Sequence, residues 1–192
     1  MIFLNEGLTR KESITLSAIE IIDELGIQGF SIRELAKRQG IKEAAIYRHF
    51  KSKQDIVLSV LKIFSDFVEN IINSINDKKL NCKEAIIFFI QSHTEFFEQH
   101  PSVTSIVFSE EIFRDNDVVA TQMQDIFKMR SNYIVHLVEK AQILEKISKK
   151  FSCEELADLI LGLLRRSTMK WRINDYNFSL TEKVLLILEK LL

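Results

Sequence analysis

Apolar residues return every three or four positions along most of the chain, the spacing that lines one face of a helix. Over about Thr9–Leu25 that face is Ile14, Ala18, Ile21, Ile22 and Leu25. A shorter run from Ser31 to Gln39-Gly40 offers Leu35 and Ala36, and Lys42–His49 offers Ala45 and Ile46, with Phe50 following. Gly40 suits the left-handed conformation that closes a helix end. The stripe over about Ser52–Ile75 is Ile56, Val60, Phe64, Phe67, Val68, Ile71 and Ile75. About Asn81–Gln99 carries Cys82, Ile86, Phe89, His93 and Phe96/Phe97, and Pro101 suits the first turn of a short helix ending near Phe113. After a polar break at Arg114–Asp117, the side of Asp117–Leu144 bearing Val119, Met123, Ile126/Phe127, Arg130, Ile134, Leu137 and Ala141 predicts a long helix. Two more follow, about Ser152–Ile173 and Ser179–Leu191.

Six of these runs begin with a small capping residue and an acid three positions on: Thr9/Glu12, Ser31/Glu34, Ser52/Asp55, Asn81/Glu84, Ser152/Glu155 and Ser179/Glu182. That pairing satisfies backbone N–H groups at a helix start. With five Gly and one Pro in 192 residues, little chain is left for turns. The expected fold is all-α, about nine helices, with a small N-terminal module over 1–53 and a larger domain over 54–192. Because Asn76–Leu80 is the first convincing polar break after Lys53, the boundary falls inside a continuous helix, which makes it a lever.

Charge singles out Ser31–Lys53, SIRELAKRQGIKEAAIYRHFKSK. It holds seven Lys/Arg against two Glu, net +5, in a chain whose net charge is −1. Two short helices around a glycine turn make a helix-turn-helix, which lays its second helix in the DNA major groove. Lys42, Glu43, Ala44 and Ala45 occupy the start of that second helix. Lys can donate to guanine, Glu can accept from cytosine, and Ala can touch a thymine methyl; Glu43 equally suits the positive end of a helix dipole.

At Ala45-Ile46-Tyr47-Arg48-His49-Phe50-Lys51-Ser52-Lys53 the sequence resembles the signature of the TetR family of bacterial transcriptional regulators, closely over Thr9–Lys53. Lys42 and Ala45 depart from it, standing where the family often has hydroxyls that cap the helix or reach DNA. The resemblance implies a double-stranded DNA operator as partner and backbone contacts from Tyr47, His49 and Lys53. Tyr and His donate to phosphate oxygens, and Lys adds charge. Arg10 at the first helix start either contacts phosphate or is a solvated charge; Ser31, Arg33 and Arg48 complete the expected DNA-facing set.

The resemblance also implies an effector cavity in the larger domain. Nine of fourteen Phe (Phe64, Phe67, Phe88, Phe89, Phe96, Phe97, Phe108, Phe113, Phe127) lie between residues 52 and 144. They suit either an aromatic core or a pocket for a small hydrophobic effector. His93 and Arg130 each interrupt an apolar stripe. They are either a satisfied core histidine and a snorkelling arginine, or polar anchors for an acidic head group. The expected lining is Phe67, Phe89, His93, Phe96, Met123, Phe127, Arg130 and Trp171.

The stretch LADLILGLL in Ser152–Ile173 is apolar on every side and needs a partner on one of them. With Ser179–Leu191 it forms the expected halves of a four-helix homodimer bundle, through Leu156, Leu159, Leu163, Val184 and Leu188.

Cys82 and Cys153 have no metal spacing and suit a reducing cytoplasm. His100 and His136 match no ligand pattern either, so no metal and no cofactor are expected. The three-residue apolar run in MIFLNEGLTRKE is too short for a signal peptide, and no run approaches a membrane span. No catalytic motif occurs, which leaves an all-helical enzyme without support. A helical adaptor acting through protein contacts would have no use for the +5 stretch. The sequence therefore reads as an effector-responsive repressor that binds a pseudo-palindromic operator.

Overall fold

The structure, a computed structural model, describes residues 7–109 and 117–192. Among them are nine α-helices: α1 Arg10–Gly29, α2 Ile32–Arg38, α3 Glu43–Ile46, α4 Lys53–Asp77, α5 Cys82–Gln99, α6 Val103–Val107, α7 Asp117–Ile143, α8 Cys153–Ile173 and α9 Leu180–Leu191. The expected end of the sixth helix at Phe113, residues 114–116 of the polar break, and the first six residues of the chain lie outside the described residues.

All six predicted caps accept the backbone N–H three residues on, at 3.1–3.3 Å. The return bond forms at three of them: Glu12 accepts from Thr9 N, Glu84 from Asn81 N and Glu155 from Ser152 N, at 2.8, 3.0 and 2.8 Å. Elsewhere the acid turns away: Glu34 lies 3.9 Å from Lys37, and Asp55 accepts from Lys51 N at 2.9 Å.

Four helix ends are closed by one repeated device. After α2, Gly40 takes φ 64°, and Ile41 N donates back to Ala36 O at 3.0 Å. The same six-residue return bond closes α4 (Leu80 N to Ile75 O, 3.4 Å), α7 (Lys146 N to Ala141 O, 2.8 Å) and α8 (Tyr176 N to Trp171 O, 3.0 Å). There the left-handed residues are Lys79, Glu145 and Asp175, at φ 52°, 55° and 49°. With so few glycines the chain accepts strained caps instead.

Two predicted spans change. The α1 helix continues past Leu25 through a break at Gly26 (φ 70°, ψ 171°), and Leu25 is exposed instead of completing the buried face. Only Glu43–Ile46 of the expected Lys42–His49 helix is α-helical; Tyr47–His49 form a turn, with His49 N bonded to Ile46 O at 2.9 Å.

The chain divides into two compact units, Met1–Phe67 with Ser102–Asp125, and Val68–Pro101 with Ile126–Leu192. The first therefore runs past residue 53 and takes in α6, and both α4 and α7 pass from one unit into the other. In the first unit α1 packs against α2 and α6, and α2 against α3. Its core holds Ile14, Ala18, Phe30, Leu35, Ile46 and Phe50.

In the second unit α9 packs on α5 and α8. Along α8 the buried residues Leu156, Ile160, Leu164 and Thr168 recur every four positions, and α9 buries Leu180, Val184 and Leu188 the same way. Leu156, Val184 and Leu188, expected to meet a partner chain, thus belong to the protomer's own core. Nor is α8 apolar all round, because Glu154, Asp158, Arg165, Arg166 and Lys170 are exposed. Its outward apolar positions form a narrower stripe of exposed Leu159, Met169 and Ile173 with half-buried Leu163.

Candidate nucleic-acid interface

The basic stretch folds so that α3 and the turn after it are anchored from below. Ile46 and Phe50 are buried, which leaves Lys42, Glu43, Ala44, Tyr47, Arg48 and His49 exposed, with Ala45 half-buried. Tyr47 is 52% exposed, so its phenol is presented to solvent rather than packed. Lys42 stands at the N-cap and makes no side-chain cap bond, as expected of a residue with no acceptor there. Arg10 and Arg33 are exposed, while the Ser31 hydroxyl already accepts Glu34 N at 3.1 Å.

Not all of the +5 charge is turned outward. Arg38 forms a two-pronged pair with Glu24, at 2.8 and 2.6 Å, which holds that carboxyl below its usual range. The Lys53 ammonium donates to Ile27 O at 2.9 Å and lies 5.4 Å from the centre of the Phe30 ring. Partial burial pulls its pKa down. One of its three donors is thereby spent on the end of α1. Lys11 lies 5.2 Å from the centre of the Phe50 ring.

The expected effector residues fall in both units, Phe67 and Met123 in the first and the rest in the second. Within the second unit Phe89 and His93 are fully buried, with ring centres 4.5 Å apart. His93 Nδ1 donates to Phe89 O at 2.7 Å, and its pKa is well below normal because of burial, with the Arg130 charge adding to the effect. Arg130 is 5% exposed and pushed down to about 10 by burial. It does not snorkel.

Three further members are placed as follows. Phe127 is 37% exposed, because Ile126 takes the inward position of that turn of α7. Trp171 is buried but packs edge-on against Tyr176, at 4.7 Å between ring centres. Phe67 is half-buried and stacks on Phe64 at 6.1 Å. Tyr133, which the stripe on α7 passed over, comes within 5.6 Å of Phe89, and burial pushes its pKa up. Its place three residues beyond Arg130 was the available signal.

Among the described residues no group of three His, Cys, Asp or Glu could hold a metal ion, and no helix is long and apolar enough to cross a membrane.

A glycine-turned helix pair whose exposed second helix is flanked by Lys42 and Arg48 is the arrangement of the DNA-binding helix-turn-helix. Residues 14–60 match the sequence model of bacterial regulatory proteins of the tetR family, and residues 61–192 that of the YsiA-like protein C-terminal region. The nucleoid occlusion factor SlmA of Vibrio atlanticus is 24% identical over 176 residues, 90% of this chain and 89% of that protein. The fatty acid metabolism regulator protein of Bacillus subtilis is 24% identical over 165 residues, 85% and 84% of the two. Of solved structures, the transcriptional regulator FadR from Bacillus subtilis in complex with stearoyl-CoA has the same fold. Its TM-score is 0.78 at 23% identity, covering 93% of this chain and 95% of that one. The chain belongs to the TetR family and is a DNA-binding transcriptional regulator.

Proposed function

We propose that this regulator is an effector-responsive repressor acting as a homodimer on a pseudo-palindromic operator. The observation that carries the reading is the outward face of the second helix and its turn: Lys42, Glu43 and Ala44 at base-reading positions, with Tyr47, Arg48 and His49 beside them. Tyr47, His49, Lys53 and Arg10 hold the DNA backbone, and Lys42 through Ala45 read base edges. A dimer supplies two such faces for two half-sites one helical turn apart. The outward stripe of exposed Leu159, Met169 and Ile173 with half-buried Leu163 supports α8 as the pairing face.

The effector we propose is a molecule with a long hydrocarbon body and an acidic head. Buried Phe89, His93 and Arg130 support it, as do the Bacillus subtilis relatives, one named for fatty acid metabolism and one bound to stearoyl-CoA. The effector binds one dimer conformation better and shifts the population away from the DNA-competent spacing. An adaptor acting only through protein contacts leaves the exposed basic turn without a use.

The test has two arms. Wild-type protein should enrich a pseudo-palindromic duplex from a randomised pool, and stearoyl-CoA should release it. Arg130→Leu should still bind that duplex but need at least about tenfold more stearoyl-CoA, the loss of one charge-assisted bond. Enrichment without release in the wild type would reject the effector class and keep the regulator.

A further inference from the structure

The recognition helix α3 is only four residues long and has no side-chain cap. So short a helix cannot fix its own direction, because one turn of helix is unstable alone. Something outside it must aim the base-reading residues. Ile46 and Phe50 anchor its C-terminal side in the core of the first unit. At its N-terminal side a side chain of the preceding turn is bonded to another helix.

That side chain is Gln39, in the turn between α2 and α3. Its Nε2 donates to Ser17 Oγ at 2.6 Å and to Ser13 O at 3.3 Å, and its Oε1 accepts from Ser13 Oγ at 3.3 Å. Both amide hydrogens are used, and the Ser13 carbonyl fixes the amide orientation, since a flipped amide would face oxygen to oxygen. Committed in this way to α1, Gln39 is not available to read a base. The turn around it is stiff: Gln39 N bonds to Leu35 O, Gly40 N to Lys37 O and Ile41 N to Ala36 O. Ile41 directly precedes Lys42, the N-cap of α3.

Ser13 and Ser17 sit on the helix that starts at Arg10, and the same helix is bonded to α4 through Thr15 Oγ1 and Ser59 Oγ at 3.0 Å. Gln39 therefore closes a rigid link from the backbone-contacting start of α1 to the base-reading start of α3. We propose that Gln39 is a positioning residue for sequence specificity: it holds α3 against α1 so that base contacts and phosphate contacts are made in one register. The inference rests on the DNA interface proposed above.

Phosphate contacts tolerate small displacements, whereas base-edge hydrogen bonds do not. Losing the tie should therefore reduce discrimination more than binding. The experiment compares wild type, Gln39→Ala and Ser17→Ala on two probes: the duplex that wild type enriches from a randomised pool, and an unselected duplex of the same length. Gln39→Ala is expected to lose about tenfold or more on the selected duplex, the scale of one base contact, and less than about twofold on the unselected one. The slope of affinity against salt should stay unchanged, because no phosphate contact is removed. Ser17→Ala should move the ratio the same way, and adding it to Gln39→Ala should cost little more, since both act on one bond.

A preserved ratio in folded Gln39→Ala overturns the proposal, and so does an equal loss on both probes, which marks general unfolding of the domain. Should Gln39→Ala fail to fold, the Ser17→Ala ratio decides by the same criteria. Wild-type protein that binds neither duplex overturns the DNA interface itself and this inference with it; that failure appears in the parent, not in the variant.

Discussion

Glu98, in the last turn of α5, accepts the backbone N–H of Leu180, the first residue of α9, at 2.6 Å. The same carboxylate accepts from Ser179 Oγ, Thr181 N and Thr181 Oγ1 at 3.2, 3.3 and 2.8 Å. A negative charge at a helix N-terminus, bonded to its exposed amides, is favourable on both counts. Glu98→Ala should destabilise the protein by about 1–2 kcal/mol, the scale of a lost helix cap. Urea unfolding checks it; a midpoint unchanged from wild type would show that Ser179 alone suffices.

The left-handed caps make an opposite prediction. Lys79 and Glu145 hold conformations that favour glycine, and both are exposed. Lys79→Gly and Glu145→Gly should each stabilise the protein by up to about 1 kcal/mol, against the flexibility glycine adds to the unfolded chain. Thermal unfolding of the two single variants and the double variant measures it, and a lower Tm in both singles contradicts the strain.

The two kinds of leucine on α8 and α9 should separate cleanly. Leu159 is 43% exposed, whereas Leu188 is fully buried. Leu159→Glu should leave the fold intact and yield monomers in sedimentation at micromolar concentration. Leu188→Glu should instead unfold the protein, because a carboxylate in an apolar core costs several kcal/mol. A folded, dimeric Leu159→Glu protein would place the pairing face elsewhere.

His93 contributes to the loss of stability in acid. Burial holds its folded pKa well below the ordinary 6.5. As pH falls, the unfolded chain therefore takes up this proton before the folded one. The contribution is fully present above about pH 6.5 and drains below it, at up to about 1.4 kcal/mol per pH unit. His93→Gln removes that titration. Its urea midpoint should fall less steeply than wild type from about pH 6.5 to 5; parallel curves for the two proteins would contradict it.

Much of this was legible in the chain. Capping pairs such as Asn81/Glu84 and the three- and four-residue apolar spacing mark where helices begin and which face they bury. What the pattern could not supply was direction at adjacent apolar positions. Leu156 and Leu159 look alike in sequence, and only the four-residue register of Ile160 and Leu164 turns the first inward. Ile126 and Phe127 pose the same ambiguity, and the smaller side chain took the core. Turns without glycine, as at Lys79 and Glu145, carry no compositional signal. Long-range polar ties are silent for a related reason: Gln39 reads as a helix stop, and Glu98 as an ordinary surface acid, until tertiary structure brings Ser17 and Leu180 beside them.

The basic turn is most directly tested by the salt dependence of DNA binding. Wild-type protein on its enriched duplex should give a straight line of log affinity against log salt. Its slope should be about −3.6 or steeper for the dimer, roughly −0.9 for each of Arg10 and Lys53 in both protomers. Lys53→Met, which keeps the stem over Phe30 but removes the charge, should make that slope shallower by about 2 per dimer and weaken all sequences alike. A slope near zero in the wild type, or no measurable binding to any duplex at low salt, would contradict the assignment of Tyr47, Arg48, His49 and Lys53 to DNA.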